Sequence, residues 1–275
     1  MSVYSTPTPL RNVARPVKLA VTAPLDATHA GEDDARAAAT RHGLPFAPRQ
    51  GRPLAEVAAA AGFDALLVLS RHRAALYLGG AEHPWRAGMA ALRIKRLLAG
   101  ERSTVDGFLA AAQLRPGDAL LDATLGMGMD ALVAAAAVGA AGRVLGAEAS
   151  PALAALTGEG MGRCALPAAR RVEVVHADAS ALLATLPARS FDVVAFDPMF
   201  RFGRAGASGF DLVRRLADPR PLTPETLARA RRVARRWVVV KDGAPGFDLS
   251  RLGLIPLSSA RGAHRYFARV GADGR

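Results

Sequence analysis

Leu120-Leu121-Asp122-Ala123-Thr124-Leu125-Gly126-Met127-Gly128-Met129-Asp130-Ala131 runs from an apolar segment through a glycine turn into an alanine-rich one. The first half reads as a buried strand and residues 130–138 as a helix, which places the glycines at a strand-to-helix turn. Glycine there lets the backbone bend sharply and lets a ligand approach with no Cβ in the way. Outward from this turn, apolar strands alternate with helices at short spacing, the pattern of parallel β-α-β units. Strands are expected at 119–123, 143–147, 172–176, 191–196 and 237–241, with a final pair near 254–258 and 265–270. Helices are expected near 130–138, 151–158, 179–183, 210–216 and 223–236. The last opens on Thr223-Pro224-Glu225: a capping hydroxyl, Pro at the first helical position and an acid at the positive end of the dipole.

Ahead of Gly117 the rhythm differs. Val17 to Val21 alternates as a strand, a helix is expected over Asp33–His42 and a short one over Leu54–Ala61, and strands at 65–69 and 74–78 flank the polar turn Arg71-His72-Arg73 as a hairpin. A basic helix from Trp85 to Leu98 follows. The expected organisation is a small N-terminal α/β domain over 1–84, a linking helical segment over 85–117 and a main α/β domain over 118–275.

With 275 residues, 51% of them hydrophobic, the chain has enough apolar material for a substantial core, which excludes a disordered tail protein. A single cysteine, Cys164, cannot form an internal disulfide and fits a reducing cytosol as a small apolar residue. The longest apolar run, 131–141, is too short to span a membrane, and residues 1–16 hold no signal-type apolar block, so a cytoplasmic protein is expected. The six histidines show no metal-ligand spacing with one another or with Cys164, so no metal is expected.

The formal charge is +12, but only Lys18, Lys95 and Lys241 are lysines, so GC-rich codon usage explains much of the basicity. Its distribution is more informative: residues 1–105 carry +6, residues 106–197 carry −4 and residues 198–275 carry +10. A negative centre between positive flanks suits a cofactor module with an anionic macromolecular partner.

Two cofactor classes use a glycine turn of this kind. Gly126-x-Gly128-x-x-Ala131, with Glu148 placed 22 residues after Gly126, formally matches the dinucleotide fingerprint of a nicotinamide-dependent oxidoreductase. Asp122 argues the other way, because a carboxylate beside the turn would repel a pyrophosphate. S-adenosylmethionine carries no phosphate, and its ammonium is held well by such an acid. Glu148 at the end of the second strand can accept both ribose hydroxyls, and Asp178 after the third is placed to receive the adenine amine.

The fourth strand ends in Asp197-Pro198-Met199-Phe200, at the sheet edge where open α/β folds bind ligands. In methyltransferases of exocyclic base amines, an Asp/Asn-Pro-Pro-aromatic turn here accepts hydrogen bonds from the amine and stacks its aromatic on the base. Asp197, Pro198 and Phe200 are therefore the candidate catalytic residues. Arg201 and Arg204, in a glycine-rich stretch just beyond, and Arg214 and Arg215 on the next helix are candidates for substrate phosphates. Arg229, Arg231, Arg232, Arg235 and Arg236 spread around their helix as a solvated face would.

These motifs resemble the ribosomal RNA small-subunit guanine-N2 methyltransferases of the J type and their uncharacterised bacterial relatives. The family pattern Asp-Ala-Thr-x-Gly-x-Gly-x-Asp-Ala is met by Asp122, Ala123, Thr124, Gly126, Gly128, Asp130 and Ala131, and its Asp-Pro-Met-Phe turn by residues 197–200. Leu212-Val213-Arg214-Arg215, Val238-Val239-Val240-Lys241 and Ala263-His264-Arg265-Tyr266 resemble further family segments, so the likeness runs over roughly 85–270. His83-Pro84-Trp85 resembles the relatives more than the J-type enzymes. The resemblance implies a Rossmann-like class I methyltransferase fold, a mostly parallel seven-stranded sheet with an antiparallel last strand. It also implies cofactor contacts at Met129, Asp130, Glu148, Ala149, Asp178, Ala179 and Asp197, and substrate contacts at Lys241 and His264. The family usually has Arg at the position of Met129, a basic residue at Ala149, Ser at Asp178 and Pro at Arg201. Function is accordingly expected to be transfer of a methyl group from S-adenosylmethionine to a guanine amine in ribosomal RNA or a small-subunit particle. A protein or small-molecule acceptor, an oxidoreductase and a non-catalytic RNA-binding protein are the alternatives.

Overall fold

The alternation at 65–69 and 74–78 closes as a hairpin. Strands β1 (Leu19–Thr22), β2 (Ala65–Ser70), β3 (Arg73–Leu78) and β4 (Ala81–Pro84) form one sheet in that order, with β1 parallel to β2 and the rest antiparallel. Helices α1 (His29–His42) and α2 (Leu54–Ala61) connect β1 to β2. This computed structural model describes residues 17–100, 106–198, 211–243, 246–257 and 265–272. Met199, Phe200, Arg201, Arg204 and His264 lie outside the described residues.

Beyond the first sheet, α3 (Gly88–Leu98) and α4 (Gly107–Ala112) lead to the second. That sheet contains β5 (Ala119–Asp122), β6 (Arg143–Glu148), β7 (Val172–His176), β8 (Phe191–Phe196), β9 (Ala234–Gly243) and β10 (Arg265–Gly271). Helices α5 (Met129–Val138), α6 (Pro151–Gly162), α7 (Ala179–Thr185), α8 (Asp211–Leu216), α9 (Pro224–Val233) and α10 (Phe247–Arg251) connect the strands. The order is β10-β9-β8-β5-β6-β7, all parallel except β10, which pairs antiparallel with β9. Buried on both faces, the central strands β5 and β8 read as apolar runs such as Val193-Val194-Ala195-Phe196, whereas β7 at the edge is partly exposed. Chain order reverses between β5 and β8, so the crevice beyond their carboxyl ends is the topological switch point.

The two sheets share one apolar core. Leu67, Leu76 and Trp85 from the first half join Leu132, Leu156 and Met161 from α5 and α6 in a single buried cluster, and α3 packs on α5 while β2 and β3 pack on α6. Among the described residues no helix is long and apolar enough to cross a membrane.

Three expectations are corrected. The sheet has six strands among the described residues, not seven. The stretch expected as its sixth strand makes one bridge, Pro256 to Ala268, because Pro256 has no N–H for a ladder and Leu254 is tied back to the Leu249 carbonyl. The helix expected to reach residue 236 ends at Val233, and Ala234 already pairs with Phe191. Arg235 and Arg236 thus belong to β9, where Asp192 and Asp118 receive their guanidinium groups, rather than to a solvated helical face. The helix expected from Asp33 begins at His29, capped by Thr28.

Candidate active site

Four acids converge at the switch point because each lies at a strand end or in the first turn of a helix, and a lysine joins them from within the last parallel strand. Asp122 ends β5, Glu148 ends β6, Asp197 follows β8, Asp130 lies in the first turn of α5, and Lys241 comes from β9. Asp122, Asp130, Asp197, Lys241 and Phe108 line one narrow cleft. A larger open groove, about 310 Å³, lies on the flank of α6 between Arg41, His42, Glu159 and Arg170. Its acid is consumed structurally: Glu159 is buried and takes Arg41, His42 and Arg163, which outweigh its desolvation and hold the carboxyl down at about 2.

The glycine turn is held from several directions. Gly126 and Gly128 have φ of 53° and 73°, in the left-handed region where glycine is favoured. A Cβ on Gly128 would fall 2.1 Å from Met161 Cε and 3.2 Å from Thr157 Cγ2, at a φ that favours glycine, whereas among the described residues a Gly126 Cβ would meet nothing nearer than Val213 of α8 at 3.9 Å. The Gly126 N–H donates to Glu148 Oε2 at 2.8 Å, and Thr157 Oγ1 donates to the Gly126 carbonyl at 2.7 Å. Glu148 also accepts the Ser150 N–H at 2.8 Å, which aims its carboxylate along the end of β6. Burial raises the Glu148 carboxyl, and those two backbone donors partly offset the rise.

A charged chain then runs through the site. Arg93 of α3 grips Asp106 at 2.7 and 3.0 Å and Asp130 at 2.5 Å; Asp130 accepts Lys241 Nζ at 2.9 Å; and Lys241 also pairs with Asp197. Burial opposes the charge on Asp130, but Lys241 and Arg93 outweigh it and hold the carboxyl below its usual range. Asp122 lies deeper. Desolvation, then the charge of Asp130 and that of Asp197, push its carboxyl up to about 8, against the Thr124 N–H and Lys241. Three carboxylates therefore face two cations, one of them shared with Asp106. The Asp197 N–H donates to Thr124 Oγ1 at 2.6 Å, joining the turn after β8 to the glycine loop.

Other expected site residues are placed differently. Asp178 caps α7 through the Ala181 N–H at 2.9 Å and meets Arg220 at 2.6 Å; the capping N–H and then Arg220 lower its carboxyl. Ala179 is the first residue of α7, and the carbonyl of Ala149 meets His176 Nε2 at 3.2 Å. Met129 opens α5 with its sulfur toward Gly88. Arg215 lays its guanidinium against Gly79, in the β3–β4 turn. Lys241 is 6% exposed and engaged by two carboxylates, which makes it part of the framework beneath the acceptor turn. Sequence reasoning gave no role to Thr124, Thr157, Trp85 or Arg93. All four act across 31 to 73 residues of chain, where no local spacing betrays them.

With strand order, switch point and acids in place, comparison with known proteins decides the class. A family model described as "Putative SAM-dependent methyltransferase" matches residues 107–250. The chain belongs to this family. YpiP, an uncharacterized protein of Bacillus subtilis, is 37% identical to this methyltransferase over 206 residues, 72% of the chain and 79% of the relative. The ribosomal RNA small subunit methyltransferase J of Alkalilimnicola ehrlichii is 41% identical over 159 residues, 53% of the chain and 58% of the relative. That of Coxiella burnetii is 31% identical over 153 residues, 54% of the chain and 59% of the relative. The chain thus spans less than three fifths of the length of these J-type relatives. A SAM-dependent methyltransferase from Neisseria gonorrhoeae shares the fold, with a TM-score of 0.58 at 21% identity over 93% of this chain and 96% of that one. The cofactor is S-adenosylmethionine, and the fold is the Rossmann-like class I methyltransferase fold.

The residues present fit that cofactor. More carboxyl groups than cations at the glycine loop suit a ligand with a positive ammonium and sulfonium, to which Asp122 can give up its proton, and disfavour a pyrophosphate. At Gly126 there is room for more than a hydrogen: among the described residues the nearest atom to a Cβ there is Val213 Cγ1 at 3.9 Å.

Proposed function

We propose that this methyltransferase transfers a methyl group to the exocyclic N2 amine of a guanine in ribosomal RNA, in the cytoplasm. The observation that carries the reading is Asp197. Its carboxylate is held by Lys241 and its backbone by Thr124, at the switch point and next to the cleft of Asp122 and Asp130. The J-type relatives, named for ribosomal RNA of the small subunit, support the choice of acceptor.

In this reading, Asp122 and Asp130 face the ammonium of the donor, Glu148 accepts its ribose hydroxyls, and the backbone at Gly126, Gly128, Met129, Ala149 and Ala179 closes around it. Asp178 receives the adenine amine from its place at the start of α7. Bound S-adenosylmethionine supplies an electrophilic methyl on sulfur. Asp197 accepts a hydrogen bond from the guanine amine, which keeps electron density on nitrogen and aims its lone pair; positioning is then most of the catalysis. The N–H proton made acidic by methylation leaves through the same carboxylate. Pro198 stiffens the turn, and Phe200 is assigned the stacking face on sequence grounds. Arg201, Arg204, Arg214 and His264 are assigned to RNA. Lys241 positions Asp197 instead of touching substrate, and Arg215 serves the N-terminal sheet.

The test is a methyl-transfer assay with tritiated S-adenosylmethionine on separate RNA, protein and small-molecule fractions from a strain lacking the enzyme. Label is expected in RNA, and Asp197→Ala is expected to lose transfer while retaining RNA binding. Label in protein or in small molecules, with RNA unlabelled, would overturn the acceptor.

A further inference from the structure

We infer that Trp85 and Arg93, which precede the region matched by the family model, are positioning residues through which the N-terminal half clamps the cofactor loop and raises its affinity for the methyl donor. The inference rests on the reading that residues 122–131 hold the donor.

Trp85 leaves β4 and is 8% exposed. Its ring lies against α6 at Gly160, where a Cβ would come 2.3 Å from Trp85 Cγ, so a glycine in the last turn of this helix makes room for the indole. Seated there, Trp85 Nε1 donates to the Met127 carbonyl at 3.1 Å. Met127 stands between two glycines of positive φ, in a stretch whose own backbone makes neither helix nor strand. From α3, Arg93 holds Asp130 at 2.5 Å and is itself braced by Asp106 on two nitrogens. A planar guanidinium bound on both sides is a rigid strut in a way that a lysine is not. Thr157 of α6 and Glu148 of β6 also hold Gly126, so the loop is tied both to the N-terminal half and to the cofactor sheet and its helix.

The physical consequence follows from the glycines. A loop with two of them loses much conformational freedom when a ligand orders it, and that loss weakens binding. Hydrogen bonds that order the loop beforehand reduce the loss. Trp85 and Arg93 supply two such bonds from outside the cofactor-binding sheet.

The experiment is calorimetric titration of S-adenosylhomocysteine into the full chain, comparing wild type, Trp85→Phe and Glu148→Ala. Trp85→Phe keeps the aromatic ring on Gly160 and removes the donor. Loss of one such hydrogen bond should raise Kd about 3- to 10-fold. Glu148→Ala should weaken binding more. If Glu148→Ala weakens binding and Trp85→Phe does not, the clamp is wrong and the loop reading stands. If Glu148→Ala leaves Kd unchanged, the loop reading falls and takes the clamp with it. A second readout uses the wild type: the chain has only two tryptophans, so two indole N–H resonances. Trp237→Phe assigns them even if Trp85→Phe does not fold. The Trp85 resonance should move on addition of S-adenosylhomocysteine while that of Trp237 stays; a stationary Trp85 resonance would overturn the clamp.

Discussion

The cofactor-free protein should lose stability as pH rises from about 6 to about 8, and Asp122→Asn should remove that loss. Asp122 is 5% exposed, and the Thr124 N–H at 3.2 Å is a weak return for its burial. Desolvation, with the charges of Asp130 and Asp197, pushes its carboxyl from 3.8 to about 8. Between those values the folded protein holds a proton that the unfolded chain has released, so the unfolding free energy falls as pH rises. The contribution is complete below the unfolded value and is gone once pH passes the folded one. One proton carried over the two units up to pH 8 corresponds to on the order of 2–3 kcal/mol. Asparagine has nearly the size of the protonated acid and does not titrate. Urea unfolding of both proteins at several pH values, followed by circular dichroism, reads the difference directly. The wild-type curve should drop relative to Asp122→Asn by on the order of 2 kcal/mol across this window. Parallel curves would mean that Asp122 is ionised throughout, and would refute the picture of an under-neutralised carboxylate waiting for a cationic ligand. The same picture makes S-adenosylhomocysteine binding near neutral pH release a proton, measurable as a binding enthalpy that depends on the buffer.

Lys241→Met removes the cation between Asp130 and Asp197 and should destabilise the protein by about 3–5 kcal/mol, as expected when one partner of a buried ion pair is lost; an unchanged urea midpoint would show that the chain of charges carries no energy. Gly128→Ala forces a left-handed φ on alanine and drives its Cβ into Met161, so thermal melts should show a loss of more than about 1 kcal/mol, and wild-type stability would count against a left-handed, closely packed turn at this glycine. RNA affinity should fall steeply with salt, about 40-fold between 50 and 200 mM if three phosphates are neutralised, and a flat response in filter binding would remove the arginines from the RNA interface.

Much of the fold is readable in the chain because its parallel strands are apolar runs bounded by glycine and polar turns, and its helices carry local start signals such as Ser150-Pro151 and Thr223-Pro224. β4, Ala81–Pro84, escaped because its four residues carry no apolar alternation and its pairing with β3 is a tertiary fact. The six-residue α4 is too short for a periodicity, although Asp106 before Gly107-Phe108-Leu109 is a capping signal that marks it. Arg235 and Arg236 continue the helical pattern of α9 by local propensity, and Asp192 and Asp118, distant in sequence, draw them into β9 instead. The site divides in the same way. Asp122, Glu148 and Asp197 are legible because strand ends are legible. Thr124 on Asp197, Lys241 between two carboxylates and Trp85 on Met127 are contacts that only the folded chain creates.

The most direct test of the account is the identity of the methylated atom. Small-subunit particles and free ribosomal RNA from a strain lacking the enzyme are incubated with the protein and tritiated S-adenosylmethionine, and the RNA is digested to nucleosides and separated. The label should co-migrate with N2-methylguanosine and be absent with Asp197→Ala. Label on another nucleoside, or on a ribose hydroxyl, would contradict an acceptor turn built to hold a guanine amine.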